Sequence, residues 1–410
     1  MKPIIIVQGA QFGSESKGAV AHALAQRLGV RWAVRTGSIN AGHSIVVNGR
    51  KLAFCQLPTA VVLPSVRVVL GPGAYLHEDT LHAEAEVAGC ADRLYIDYNC
   101  GVHLDDYAAE SKADGRTLRI GATGKGCAEA IIHKIADRGR GTSLLFRDLH
   151  HSRYAHLAQH DTAALLNDAY DRGEPILLEG TQGSLLDFHC GPYPFVTSRQ
   201  TTAAAWVTEA GLSPALSYEV VLVVRTYPIR VAGNSGPMPN EIDWPTLARR
   251  INVRLTDHGR EPLVCEDAIT DYELALKKLA ADWRYQGRSD VEIALYGSTE
   301  VLGGLPESAQ QELAKLFETT TVTKRLRRIA EIDVEQLRLT VRKERPAYIA
   351  LTFLNYIFPE LAGARELHAE AIAYLEDLQQ RIGCWIRYTS VGPSSDDLLE
   401  TPVALYRSFS

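Results

Sequence analysis

What this chain lacks narrows it before any motif is read. It has no run of about 18 apolar residues, the length a helix needs to cross a bilayer, so no membrane span is expected. Met1, Lys2 and Pro3 ahead of an apolar run at 4–7 are too little for the apolar core of a secretion signal. The seven cysteines stand scattered at 55, 90, 100, 127, 190, 265 and 384. Being odd in number and without a Cys-x-x-Cys pair, they point to a reduced, cytoplasmic setting. Positive charge is not in surplus: 43 Lys and Arg against 49 Asp and Glu leave −6. Nothing therefore draws the whole chain to a polyanion, and a free nucleotide is an easier ligand than a nucleic acid. There is no internal repeat and no low-complexity tract, and 46% hydrophobic with 22% charged residues gives no support to widespread disorder. The 410 residues are enough for a large core, as one extended α/β domain or as two to three smaller ones.

What is present is a set of small-residue loops at strand ends. Residues 4–7 are a β-branched run suited to a buried parallel strand, and residues 18–28 carry apolar side chains at helical spacing. Between them lie Gly9, Gly13, Ser14, Ser16, Lys17 and Gly18. Small residues let backbone N–H groups and a helix N-terminus face an anion, while Lys17 adds a point charge. The spacing is not the common G-x-x-x-x-G-K-[ST] pattern. A tight strand-to-helix turn with an exposed lysine is the alternative, and the order strand, loop, helix favours phosphate.

Further strands read at 31–35, 66–70 (ending at Gly71-Pro-Gly73), 175–179, 219–225, 347–354 and 384–388, with helices at 78–88, from 126 to near 138, and at 366–381. Such alternation predicts a doubly wound α/β fold with a large, mostly parallel sheet flanked by helices. Polar loops follow the strands, where open sheets of this kind bind ligands. Loop 36–44 holds Asn40, Gly42, His43 and Ser44, and brings His43 toward Lys17. Loop 120–126, with Thr123 and Lys125, reads equally as a second anion site or a mobile surface turn. Loop 180–184 contains Gln182, whose amide can read a base edge, and 192–198 contains Thr197. Residues 319–328 concentrate hydroxyls and cations: a solvated basic face, or a clamp for carboxylates of the kind arginine's planar fork suits. Residues 238–290 are more polar and less periodic, and read as a peripheral insertion.

Taken in order, these loops resemble the adenylosuccinate synthetase family along most of the chain. The family's first loop, approximately Gly-x-Gln-Trp-Gly-Asp-Glu-Gly-Lys-Gly-Lys, stands here as Gly9-Ala-Gln-Phe-Gly-Ser-Glu-Ser-Lys-Gly18. Its Asn-Ala-Gly-His-Thr is similar to Asn40-Ala-Gly-His-Ser44, and its Gly-Thr-Thr-Gly-Arg-Gly to Gly121-Ala-Thr-Gly-Lys-Gly126. Glu179-Gly-Thr-Gln-Gly-Ser-Leu-Leu-Asp187 and Tyr193-Pro-Phe-Val-Thr-Ser198 look like the family's nucleotide-binding core. The resemblance implies a P-loop-like nucleoside-triphosphate ligase fold over 1–410 as one domain, with a peripheral segment at about 238–318, and a homodimer.

It also implies a reaction: a nucleoside triphosphate, with Mg2+, phosphorylates a purine 6-oxo group, and the amine of L-aspartate displaces the phosphate. His43 would then stabilise charge at the 6-oxygen and the transferring phosphoryl, and Lys17 would neutralise phosphate, with Ser14 and Gln182 completing the catalytic set. Asn40, Thr123, Gln182 and Thr197, with Ser14 and Arg138, would hold the purine monophosphate; Thr323, Arg325 and Arg327 would hold aspartate. The donor would meet Gly13, Glu15, Ser16, Lys17, Gly18, Gly42, His43, Ser44, Asn355, Ser390, Gly392 and Pro393, and magnesium would meet Ser14 and Gly42. Neither nucleic acid nor membrane is an expected partner.

Departures from the family pattern make the expectation more specific. Ser14 stands where the family has an aspartate that acts as base toward N1 of inosine monophosphate; a hydroxyl is a poor base but leaves room for guanine's 2-amino group. Asn355, in Leu351-Thr-Phe-Leu-Asn-Tyr356, stands where an aspartate selects guanine of GTP; a carboxamide pairs with adenine N6 and N7. Both changes are features of a phage-type branch that makes 2-aminoadenine for modified DNA from dGMP, with ATP or dATP as donor. A phage-encoded member would work in the host cytoplasm. Asp137 replaces the first arginine of the family's Ala-Arg-Arg-Gly, which reaches the partner subunit's phosphate, and leaves Arg138 for that role. Ser16 replaces a glycine and Ala19 a lysine in the first loop. The competing expectations are an ordinary synthetase using IMP and GTP, and a purine-nucleotide-binding protein without catalysis.

Overall fold

The computed structural model describes residues 4–140, 145–149, 152–320 and 325–407. The strands in chain order are β1 (Ile4–Gly9), β2 (Trp32–Gly37), β3 (His43–Val47), β4 (Arg50–Phe54), β5 (Arg67–Leu76), β6 (Leu94–Ile96), β7 (Gly101–Val102) and β8 (Ile176–Glu179). They continue with β9 (Tyr218–Arg225), β10 (Ile229–Arg230), β11 (Glu241–Ile242), β12 (Arg328–Ala330), β13 (Tyr348–Thr352), β14 (Ile386–Ser390) and β15 (Leu398–Glu400). The large sheet runs β15-β14-β13-β9-β1-β8-β2-β5-β6, with β7 beside the end of β5. All its pairings are parallel except β14 with β15.

β1 lies at the middle, paired to β8 and β9, and every residue in it is buried. A central parallel strand is covered on both faces, which is why its sequence is a continuous apolar run. The alternation is still readable in the packing. Ile5 and Val7 join Val20 and Leu24 of α1 (Lys17–Arg27), whereas Ile4 and Ile6 join Trp206, Leu166 and Val34 on the opposite face. Because the strands are parallel, the C-terminal ends of β1, β2, β8, β9, β13 and β14 share one edge, and the small-residue loops converge there.

Two local readings change. The strand expected to stop at Gly71 continues to Leu76 as β5. The ladder to β2 steps from Arg35↔Leu70 to Gly37↔Ala74, and this irregularity lets Pro72, which has no N–H to give, sit inside the strand. The loop expected through Ser44 ends sooner, because His43 starts the β3–β4 hairpin. Its turn is Asn48-Gly49, both with positive φ (50° and 73°), the pair that two-residue hairpin turns demand.

The polar stretch after residue 238 is ordered helix around a core of its own. Asp243 caps the helix Trp244–Asp257 by accepting from Thr246 N at 2.8 Å, and Trp244, Leu247, Ile251 and Leu255 face Ile269, Tyr272, Leu313 and Phe317. The small sheet β10-β12-β11 joins it, with Ile229 and Ile329 in the same cluster. Interleaved arginines hid the helical spacing in the sequence.

Candidate active site

The loop after β1 is built around a carboxylate. Glu15 is fully buried; its Oε1 accepts from the N–H of Gln11 at 3.1 Å and of Gly13 at 2.8 Å, and its Oε2 meets Lys17 Nζ at 2.6 Å. Gly9 is required beneath it, since a Cβ there would come within 2.5 Å of the Gln182 carbonyl. Ser14 and Ser16 are forced into left-handed backbone (φ 60° and 61°), and no side chain caps α1. Its first N–H groups are therefore left to face the cleft. The Glu15 side chain, expected at the donor nucleotide, is turned inward and shapes the loop instead.

His43 sits over a buried triad that sequence reading missed. Its Nδ1 lies 2.5 Å from Glu179 Oε1 and 2.9 Å from Arg35 Nη1, while Arg35 Nη1 donates to the same Glu179 oxygen at 2.7 Å. Thr59 gives Glu179 Oε2 a backbone N–H at 2.8 Å and a hydroxyl at 2.7 Å. Burial first, then Arg35, push the His43 ring down to about 4 against the pull of Glu179. Burial would raise the Glu179 carboxyl, but His43, Arg35 and Thr59 outweigh it and hold it at about 2. Both recorded hydrogen bonds of His43 use Nδ1, so Nε2 is left toward the cleft it lines. Glu179 carried a signal in the sequence, as the acid at the end of a buried strand; Arg35 and Thr59 carried none.

A single cleft of about 860 Å³ gathers most of the expected residues. Gly13, Ser14, Ser16, Lys17 and Gly18 form its floor, and Asn40, Gly42, His43 and Ser44 one wall. Thr123, Gln182 and Thr197 lie along it, as do Arg325 and Arg327, and Asn355, Ser390, Gly392 and Pro393. The volume is near the upper end for small-molecule sites, enough for more than one ligand. Its lining is strongly cationic, with Lys17, Lys51, Arg116, Lys125, Arg225, Arg230, Lys315, Arg325 and Arg327 against Glu129 and Glu318. A chain of net −6 thus concentrates positive field in one place, the arrangement that attracts anions.

Lys125 does not project freely as an anion ligand; its Nζ donates to the Ile39 carbonyl at 2.7 Å and ties loop 121–126 to the loop of Asn40. His103 makes a second tie, between Ser38 Oγ at 2.9 Å and the Lys125 carbonyl at 2.8 Å. Arg138 is exposed, bonds the Ile135 carbonyl at 3.0 Å, and does not line the cleft of its own chain. Thr323 falls outside the described residues. Residues 319–320 and 325–328 are not a solvated helix face: Thr320 and Leu326 are buried, and β12 begins at Arg328.

Known proteins similar to this chain fall in one family. The adenylosuccinate synthetase family model matches residues 6–161 and 149–362. This chain belongs to the adenylosuccinate synthetase family. Adenylosuccinate synthetase of Methanococcus aeolicus is 29% identical over 396 residues, 95% of this chain and 96% of that protein. That of Thermococcus onnurineus is 29% identical over 409 residues, 97% of this chain and 98% of its own. Among solved structures, succinoaminodeoxyadenylate synthetase (PurZ) of cyanophage S-2L, bound to dGMP and to dATP as an energy donor, superposes with a TM-score of 0.71 at 25% identity over all of both chains. Fully ligated adenylosuccinate synthetase of Plasmodium falciparum shares the fold, with a TM-score of 0.69 at 19% identity.

As a member of the adenylosuccinate synthetase family, the chain is a C–N ligase that condenses aspartate with a purine nucleotide. The family uses Mg2+ and a nucleoside triphosphate. Among the described residues no three His, Cys, Asp or Glu side chains cluster as a metal cage. The cleft offers instead the exposed Ser14 and the backbone of Gly42, oxygen donors that suit a hard cation taking its other ligands from phosphates and water. Among the described residues no helix is long and apolar enough to cross a membrane.

Proposed function

We propose that this ligase joins L-aspartate to C6 of dGMP at the expense of ATP or dATP, giving N6-succino-2-amino-2'-deoxyadenylate, a precursor of 2-aminoadenine nucleotide for modified DNA. The observation that carries the reading is that Ser14 and Asn355 line one cleft, the former exposed and the latter with a carboxamide that makes no hydrogen bond to the described residues. A hydroxyl at 14 leaves space beside N1 for guanine's 2-amino group and an oxygen to accept from it. A carboxamide at 355 both donates and accepts, as adenine's N6 and N7 require. The S-2L enzyme, solved with dGMP and dATP, supports the same pairing.

In the first step the γ-phosphoryl passes to O6 as the N1 proton leaves. In the second, the aspartate amine attacks C6, the C6–O bond breaks, phosphate departs and the amine loses a proton. Lys17 meets the phosphates by exchanging its contact with Glu15. Glu15 itself is a poor base for N1, because its carboxylate is fully buried beneath the loop and held by the N–H groups of Gln11 and Gly13; a bound water or the substrate aspartate is left for that role. His43, its Nδ1 proton held by Glu179, donates from Nε2 once phosphate charge beside the ring raises it from about 4. Arg325 and Arg327 meet the aspartate carboxylates.

A homodimer is part of the proposal, since Arg138 meets a nucleotide only in a second copy; a fully active monomer in sedimentation would remove that part. The test of substrate is to incubate pure protein with aspartate, Mg2+ and each pairing of dGMP or IMP with ATP, dATP or GTP. Succino-product from dGMP with an adenine donor is expected. Product solely from IMP with GTP overturns the reading, and calorimetric dGMP binding with no phosphate release in any pairing means a binding protein.

A further inference from the structure

We propose that Arg225 is a positioning residue that holds both specificity positions of the cleft with one guanidinium. The inference rests on the assignment of Ser14 to the purine monophosphate and Asn355 to the donor base. Arg225 ends β9 and is 1% exposed. Its Nη1 donates to the Ser14 carbonyl at 3.2 Å. Its Cζ lies 3.6 Å from the centre of the Phe353 ring, two residues before Asn355.

Ser14 and Phe353 share an unusual feature: both are non-glycine residues in left-handed backbone, each with φ 60°. L-residues avoid that region because Cβ crowds the following carbonyl, so such residues persist where their surroundings over-determine them. The same cation holds both, one through its carbonyl and one through its ring face.

The guanidinium is fixed from other directions. Glu318 takes Nη1 at 3.2 Å and Nη2 more closely, Nε donates to the Tyr227 carbonyl at 2.7 Å, and the Gln11 side chain bonds both the N–H and the carbonyl of Arg225. The Tyr356 hydroxyl donates to Glu318 at 2.9 Å, and Phe353 N–H donates to Ser390 Oγ at 3.2 Å, on the wall expected to meet the donor. A lysine keeps the charge but has neither the fork nor the flat face, so it cannot make these contacts together.

The signature is a joint change at two ligands, caused by a side chain assigned to neither. In Arg225→Lys the KM of the purine monophosphate and of the donor both rise about tenfold, while kcat stays within about threefold. A merely structural role lowers the melting temperature and the active fraction and leaves both KM values in place. Should Arg225→Lys not fold, Glu318→Gln keeps the shape, loosens the guanidinium and raises both KM values about threefold. A shift in one KM alone, or in neither, overturns the proposal. Running every variant with dGMP and ATP, and with IMP and GTP, separates it from the substrate reading. If the enzyme prefers IMP and GTP and both KM values still move together, the substrate assignment fails and Arg225 stands. If dGMP and ATP are preferred and the joint shift is missing, Arg225 fails alone.

Discussion

Of the guanidinium–carboxylate pairs at the cleft, Arg35 with Glu179 and Arg225 with Glu318 end on different things. The first is sealed, both partners almost fully buried, and terminates in the titratable ring of His43. The second is partly open at Glu318 and terminates in a backbone carbonyl and an aromatic face. A sealed pair sets the charge and tautomer of whatever it touches, because fields are strong where water is excluded. An open pair with a stacked ring sets position. The difference teaches that similar ion pairs serve electrostatics in one place and geometry in the other.

The comparison breaks most visibly at His43. His43→Asn is expected to lower kcat by about a hundredfold to ten-thousandfold with nucleotide affinity little changed, read by steady-state kinetics and calorimetry. Loss of nucleotide binding in place of turnover would move His43 into the positioning class. Glu179→Gln keeps the shape but leaves Arg35 unbalanced and the ring without its fixed proton. A fall in kcat of about ten to a hundredfold is expected, with a lower melting temperature. At the other end of the cleft, Asn355→Asp trades one amide donor for an acceptor. Relative kcat/KM should move toward GTP over ATP by about tenfold or more, and an unchanged ratio would separate position 355 from donor choice.

Acid sharpens the same contrast. His43 and His103 lie near 4 in the folded chain and His22 is also lowered by burial, all below the unfolded 6.5. The unfolded chain therefore binds protons first, and stability present above pH 6.5 is lost as pH falls toward 4. Glu179, held near 2, adds a further loss between pH 4.5 and 2. In melting curves His43→Asn should flatten part of the upper limb and also shrink the lower one, because the His43 contact is the first of those that hold Glu179 low. The smallest effect belongs far from the cleft: Asp243→Ala removes the cap of the helix Trp244–Asp257, lowering stability by about 1 kcal/mol with KM and kcat unchanged.

Much of the fold was legible because a central parallel strand must be apolar on both faces, and residues 4–7, 175–179 and 219–225 say so directly. Less was legible where two requirements overlapped. Pro72 read as a strand end because a proline breaks a regular ladder, and only the pairing with β2 shows that the ladder is irregular there. Helices around Ile251 and Ile269 read as polar insertion because their solvent face supplies most of the residues. In the cleft, Lys17, His43, Gln182 and the arginines at 325 and 327 were recognisable from loop composition. The roles of Glu15, Lys125 and Glu179 appear only in the folded chain, since whether a charged side chain faces a ligand or braces a loop is set by the loop's path.

The chain alone states which chemical groups are available and in what order: a glycine-spaced loop after a buried strand, a histidine after the second, a hydroxyl at 14 and an amide at 355. Those follow from local backbone preference and side-chain chemistry. Only the tertiary structure decided their pairing, placing Glu179 under His43 across 136 residues and Arg225 between Ser14 and Phe353 across 211 and 128. The reason is physical: a buried charge must find its partner wherever the sheet order brings one, and the order of strands is not the order of the chain.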